Sequence, residues 1–153
     1  MVWKPRVTVA TVVKRDNRFL MVEEMSNGQI VINQPAGHLE YGESLLDAAC
    51  RETLEETGWS VSLVALLGVM HWERDDPDRV IIRFSFVAEA IEQGEGAVID
   101  PDIRAVHWLT AEEIKTQHLF KVRSPLVLES LKWHDSGVRF PLESLKYYKG
   151  WVE

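Results

Sequence analysis

Short apolar segments separated by turn residues make up the first third of the chain. Residues 7–13 are mostly β-branched and predict a central strand, and residues 19–22 predict the strand that returns beside it. Asp16 and Asn17, which lie between them, are typical of a tight turn. A second turn at 26–28 precedes a short apolar run at 30–32. The pattern therefore predicts that the chain begins with strands.

A helical pattern follows over residues 43–57. This stretch has no internal proline or glycine, and Gly58 stands where a glycine commonly ends a helix. The apolar positions are few and form one weakly apolar face, made of Leu46, Cys50, Thr53 and Leu54. We expect this face to pack on the strands.

Strands return in the second half and are followed by helices. Residues 61–70, 80–90 and 105–109 are predicted strands, while a capping box begins at Thr110 and a capped helix begins at Ser124. The order of strands, helix, strands and helices predicts one domain over residues 1–153. We expect an α+β sandwich with a mixed sheet and helices on both faces.

One predicted strand carries polar residues on a single face. In the 80–90 segment, Arg83 and Ser85 alternate with apolar positions, which are Ile82, Phe84, Phe86 and Ala88. We expect Arg83 to point away from the apolar face and toward a cleft.

Composition narrows the classes of partner. The 153 residues are 46% hydrophobic and 27% charged, which is typical of a folded globular protein, and the formal net charge is −7. This charge argues against nucleic-acid and acidic-membrane partners, which bind basic surfaces. With Cys50 as the one cysteine, no internal disulfide forms. No signal-peptide or membrane-spanning segment is recognisable, so we expect a cytoplasmic protein.

Three glutamates on the predicted helix indicate chemistry. Glu52, Glu55 and Glu56 are spaced i, i+3 and i+4, which places them on one helix face. Mutual repulsion and the negative helix end make this arrangement locally unfavourable, by a few tenths of a kcal/mol for each pair. A hard cation such as Mg²⁺ or Mn²⁺ would offset that repulsion. A solvated acidic face is the alternative.

The flanking residues favour the cation site. Glu43 lies two helical turns before Arg51, so the two side chains can pair and brace the loop against the helix. Gly37 and Gly42 allow the loop before the helix to turn tightly and bring backbone carbonyls near the cation.

These residues together resemble the Nudix family. The segment from Gly37 to Gly58 has the spacing G-x5-E-x7-R-E-x2-E-E-x-G of the Nudix box. Thr53 and Trp59 depart from the aliphatic residues usual at their positions, which bears on helix packing and not on the chemistry. Segments 7–10, 33–40 and 123–127 resemble the phosphatase NudJ group of that family.

The resemblance implies a Nudix-type α/β/α sandwich, a monomer and a Mg²⁺ cofactor, with Mn²⁺ as an alternative. It implies that the metal is held by Glu52, Glu55, Glu56 and the Ala36 carbonyl, and that the site is supported by Gly37, Glu43, Arg51 and Gly58. The general base is either a box glutamate or an acid in a distant loop. Asp100 and Asp102 occupy that loop, and Asp102 is the better match.

Further residues are candidate substrate contacts, each with a structural role as the alternative. His38 follows the box glycine, Trp72 ends a strand and can stack on a ring, and Arg83 and Arg123 can bind phosphate.

The NudJ resemblance also implies the substrates. They are nucleoside tri- and diphosphates and hydroxymethylpyrimidine or thiamine pyrophosphate, with release of orthophosphate. Three alternatives stay open: a pyrophosphatase acting on ADP-ribose or dinucleoside polyphosphates, a non-catalytic nucleotide sensor, and an isopentenyl diphosphate isomerase of the same fold. The single cysteine, on the packed side of the helix, disfavours the isomerase.

Overall fold

The computed structural model describes residues 1–151. In this range the chain forms eight strands and three helices: β1 (Arg6–Arg15), β2 (Arg18–Ser26), β3 (Gln29–Asn33), β4 (Ala36–His38), α1 (Leu45–Thr57), β5 (Trp59–Trp72), β6 (Ile81–Gln93), β7 (Ile103–Leu109), α2 (Ala111–Thr116), β8 (Lys121–Val122) and α3 (Pro125–Asp135). None of the described helices has the length and apolar character needed to span a bilayer.

The strands form one mixed sheet organised around β1. β1 runs parallel to β6 and antiparallel to β4, and β5 pairs with the outer edge of β6. At its end, β1 turns into β2 through Asp16 and Asn17, both of which have positive φ. β2 then pairs with β3 and β7, and β8 adds to β3 in parallel. The predicted mixed sheet and the predicted turn are both confirmed.

Helices cover the two faces of this sheet. Ala48 and Ala49 of α1 pack on one face, against Val9 and Phe86. On the opposite face, α3 contributes to a larger cluster that includes Val12, Leu67, Val127 and Leu131. The α+β sandwich predicted from the element order is therefore confirmed.

Helix α1 differs from its prediction at its start and in its packed face. It begins at Leu45 because the side chain of Ser44 accepts a hydrogen bond from the Asp47 amide at 3.1 Å. Its buried residues are small or polar ones, namely Ala48, Ala49, Thr53, Glu56 and Thr57, whereas Leu54 is 43% exposed. The apolar-face prediction was wrong at Leu54, because the helix approaches the sheet through small residues.

Strand lengths also differ from the predictions. β5 extends to 14 residues because register shifts against β6 let it follow a twisting partner. β4 and β8 were not predicted, since they have only three and two residues and show no periodicity of their own. β4 is nevertheless important for the site, because it follows β3 directly and lies beside α1.

Candidate active site

Two hydroxyls fix the seat of α1 on the sheet. Thr53 Oγ1 donates to the Ala49 carbonyl at 2.8 Å and lies 2.8 Å from Thr11 Oγ1 on β1, and all of these groups are buried. The polar residue that departs from the usual Nudix-box pattern is therefore satisfied in the core. Gly58 has φ 77° and its N–H bonds to the Leu54 carbonyl, which ends the helix.

This seat places two of the glutamates against the backbone of β4. Glu56 Oε1 accepts a hydrogen bond from the Ala36 amide at 2.8 Å. The Glu52 carboxylate occupies the space where a side chain at Gly37 would lie. Gly37 is required here for close approach and not for backbone conformation, since its φ is not positive.

Arg51 connects the glutamates to one another. Its Nη2 and Nε donate to both oxygens of Glu43 at 2.7 and 2.9 Å, the contact that the sequence spacing predicts. Its Nη1 donates to Glu52 at 2.8 Å and to Glu55 at 3.1 Å. Nη2 also donates to the His38 carbonyl at 3.1 Å, so one side chain ties the helix to the end of β4. The repulsion expected among the glutamates is partly offset by this arginine.

The buried glutamates are electrostatically unusual. Burial raises the pKa of Glu56 to about 8, with added repulsion from Glu24, Glu52 and Asp100 and an opposing hydrogen bond from Ala36. Burial also raises the pKa of Glu52, although Arg51 opposes the shift. A cluster of desolvated carboxyls that favour protonation marks a candidate functional site.

The predicted distant acid lies in the loop before β7. Asp102 is exposed, and its amide donates to Asp100 Oδ1 at 2.9 Å. The Asp100 amide bonds to the Glu55 carbonyl at 2.8 Å, and the charge of Asp100 acts on Glu56. Asp100 therefore contacts α1 and its charge acts on a site glutamate, while the role of Asp102 as the base stays a prediction.

Two of the predicted substrate contacts lie on the strands that flank β1. His38 on β4 and Arg83 on β6 are aligned with Thr8 on β1 in one row across the sheet. His38 is exposed overall, and partial desolvation of its ring together with the Arg6 charge lowers its pKa. Arg83 is only 5% exposed.

The other two predicted substrate contacts, Trp72 and Arg123, each interact with a neighbouring charged side chain. Trp72 ends β5, and the guanidinium of Arg74 lies over its ring, 4.4 Å from the centroid. Arg123 follows β8 and pairs with Glu24 at 2.7 Å. The face of Trp72 that was expected to stack on a ligand ring is therefore shared with a cation.

Comparison with known proteins decides the family. The NUDIX domain model matches residues 4–130, which include every glutamate of the site. The chain belongs to the Nudix family.

Curated Nudix relatives are similar over nearly the whole chain. Phosphatase NudJ of Shigella boydii serotype 4 (strain Sb227) is 44% identical over 145 residues, which covers 94% of this chain and 92% of the relative. Phosphatase NudJ of Escherichia coli strain K12 is 43% identical over 144 residues with the same coverage. A solved Nudix hydrolase from Nitrosomonas europaea has a TM-score of 0.89 and 39% identity, covering 95% of this chain and 98% of that one. The protein is a Nudix hydrolase that acts on phosphoric anhydrides.

Nudix hydrolases generally use a divalent metal, and the donor set here suits one. Glu52, Glu55 and Glu56 offer hard carboxylate oxygens, and in the described part of the chain no cationic side chain is bonded to the buried Glu56. Among residues 1–151, no three acidic, histidine or cysteine side chains already converge on one point, and Arg51 bonds both Glu52 and Glu55. These residues fit a cation once the two glutamates exchange Arg51 for it.

The sequence did not predict one acidic residue of the site, Glu24. Glu24 on β2 has a side chain only 15% exposed, accepts from Arg123 and from Asn33 Nδ2, and acts electrostatically on Glu56. Nothing in the local pattern of β2 distinguishes it from its neighbour Glu23, which pairs with Arg104 and His107 instead. Glu24 is positioned by the pairing of β2 with β3 and β7.

Proposed function

We propose that this protein is a Mg²⁺-dependent phosphohydrolase of nucleoside tri- and diphosphates and of hydroxymethylpyrimidine or thiamine pyrophosphate, and that it releases orthophosphate. The observation that carries the proposal is the position of Glu52 and Glu56, held against the β4 backbone by the packing of α1. The similarity to relatives named phosphatase NudJ over 94% of the chain supports the substrate class.

The proposed metal ligands are Glu52, Glu55 and Glu56 with the Ala36 carbonyl. Mn²⁺ is an alternative to Mg²⁺, since both prefer oxygen ligands. Bound there, the ion supplies charge neutralisation on the phosphate oxygens and a lowered pKa for an attacking water.

The chain's own residues supply positioning. Arg51 and Glu43 hold the loop and helix in register, Gly37 leaves room for Glu52, and Gly58 ends the helix behind Glu56. Fixed geometry of this kind is the main source of acceleration in phosphoryl transfer. Glu52, Glu55 or Glu56, or an acid of the distant loop, takes the proton from the attacking water. The sequence favours Asp102 for this role, and the charge of its neighbour Asp100 acts on Glu56.

The proposed substrate contacts are His38, Trp72, Arg83 and Arg123. His38 lies beside the box glycine, and the two arginines offer planar donors for phosphate. Trp72 offers a ring edge at the outer end of the site, next to Arg74.

A phosphate-release screen tests the proposal. The wild type is incubated, with Mg²⁺ or with EDTA, with each of five compounds: GTP, ADP, hydroxymethylpyrimidine diphosphate, ADP-ribose and a dinucleoside polyphosphate. The variant Glu129→Gln, changed at an exposed residue of α3, is assayed in the same way as a control. Metal-dependent orthophosphate from the first three supports the proposal. Turnover of only the last two contradicts the substrate class and favours a pyrophosphatase. Binding without turnover of any substrate favours a nucleotide sensor.

A further inference from the structure

Arg83 is a buried cation, and two of its three guanidinium nitrogens lack a hydrogen-bond partner within residues 1–151. It is 5% exposed, and among the described residues neither its Nε nor its Nη1 has a partner. Burial lowers its pKa to about 10, so the guanidinium stays charged at neutral pH. A buried, unpaired charge is destabilising, and an apolar side chain of similar volume would be less costly at this position. Stability therefore does not account for an arginine at position 83.

The neighbours of Arg83 form a polar patch on the α3 face of the sheet. Thr8 lies beside it on β1 and Ser85 follows on its own strand, and both hydroxyls are buried without partners. Beyond Arg83, α3 closes this space, since the Trp133 ring covers Gly68 and the Ser130 hydroxyl contacts the Met70 sulfur at 3.8 Å. The patch is thus covered by α3 on this side, and the charges of Glu24 and Glu56 act on its arginine.

The charges of a second arginine and of two glutamates act on Arg83. Arg123 repels it, while Glu24 and Glu56 attract it. Glu24 is already bonded to Arg123 at 2.7 Å. The charge of Arg123 also acts on Arg74. Arg123 thus repels both Arg83 and Arg74, although the chain as a whole has a net charge of −7. Arginines grouped in this way are arranged as expected for binding an anion.

We propose that Arg83 and Arg123 form an anion subsite for the terminal phosphoryl group of the substrate, with Glu24 as the counter-ion in the free enzyme. The inference rests on the proposed function and deepens it. Because Arg83 is only 5% exposed and its hydroxyl neighbours are buried, the group that reaches it is the end of a phosphate chain and not a phosphate that carries a second nucleoside. The subsite therefore selects substrates that end in a phosphate monoester over diphosphates capped at both ends.

Inorganic phosphate in EDTA is the direct probe of this subsite, because the carboxylates then bind no metal. Phosphate raises the melting temperature of the wild type by binding the native state. Arg83→Met lowers phosphate affinity at least about 10-fold, the usual loss for a charged hydrogen bond. Arg123→Met, at an exposed side chain, lowers it in the same direction. Glu24→Gln raises it, because the competing carboxylate is removed.

Arg104→Met is the matched control. Arg104 is a half-exposed arginine paired with Glu23 on the same sheet, and its loss leaves phosphate protection unchanged. Without phosphate, Arg83→Met melts at or above the wild-type temperature, which separates lost binding from lost folding. Equal phosphate protection of the wild type, Arg83→Met and Arg123→Met overturns the proposal.

Turnover gives a second, independent readout. Arg83→Met lowers kcat/KM on GTP at least about 10-fold more than on a dinucleoside polyphosphate. Equal losses on both substrates overturn the selection of the terminal phosphate. If the wild type hydrolyses none of the substrates while phosphate protection still depends on Arg83, the subsite stands and the proposed function fails.

Discussion

The backbone of Gly37 lies against the carboxylate of Glu52, so closely that a side chain at position 37 would overlap it. The contact joins the first residue of the Nudix box to its central glutamate, fifteen positions later in the chain. It explains the glycine by space alone, since the backbone of Gly37 is not in the left-handed region.

Gly37→Ala is expected to lower turnover by about 10²-fold. The added methyl group displaces the Glu52 carboxylate, and a displacement of about 1 Å in a positioned site lowers the rate by that factor. Metal-dependent kcat measured beside circular dichroism checks this. Gly28→Ala is the control, at a hairpin glycine with φ 76° and open space around it. We expect it to lose about 1–2 kcal/mol of unfolding free energy and to keep its turnover. A Gly37→Ala enzyme with normal kcat contradicts the assigned role of the contact.

Glu52→Gln keeps the shape of the side chain and removes its charge. We expect a native fold and a turnover at least about 10²-fold lower, the usual effect of losing a ligand or an acid–base group. Steady-state kinetics over a range of Mg²⁺ concentrations measures it, with Glu129→Gln as the neutral control. Turnover near the wild-type value removes Glu52 from the site.

Arg51→Lys tests the arginine as a structural hub. Lysine cannot keep the paired contacts with both Glu43 oxygens and still reach Glu52, Glu55 and the His38 carbonyl. We expect the free energy of unfolding of the metal-free protein to fall by about 1–3 kcal/mol. Urea titration checks this, with Arg104→Lys as a control that changes it little. An equal effect in both variants contradicts a special role for Arg51.

His134 predicts acid sensitivity outside the active site. Burial, with the charges of Arg139 and Lys14, lowers its pKa from 6.5 to about 4, and its ring packs edge-on to Phe19 at 5.4 Å. The unfolded chain therefore binds a proton at higher pH than the native one. The stability contribution is complete above pH 6.5 and is lost as the pH falls toward 4.

His134→Gln is expected to flatten that part of the pH dependence. Melting temperatures of the variant and the wild type at pH 7 and pH 5 measure it, and the exposed His118→Gln serves as the control. The wild type and the His118 variant should lose more stability than the His134 variant on acidification. Parallel curves for all three proteins contradict the assignment.

The sequence predicted what local rules decide. The helix that carries the glutamates, its glycine end, the Asp16-Asn17 turn and the mixed sheet follow from spacing, capping and alternation, and the structure has each of them. The Glu43–Arg51 contact follows from two helical turns of separation.

The parts that the sequence did not predict depend on contacts between distant segments. Glu24 is positioned by the pairing of β2 with β3 and β7, and Arg83 is buried in the assembled sheet. The packed face of α1 was misjudged because it relies on small residues and a buried Thr53–Thr11 contact instead of large apolar ones. No local pattern carries that information.

The parallel pairing of β1 with β6 has a consequence for biosynthesis. Arg6 lies opposite Ile81 and Val13 opposite Ala88, so β1 pairs with a strand that is synthesised more than seventy residues later. Such non-local pairing slows folding, because the entropy lost in closing a long loop precedes the favourable contacts between the two strands. The β-branched residues of β1 stay without their final partner until β6 emerges, and the nascent chain needs protection from aggregation during that interval.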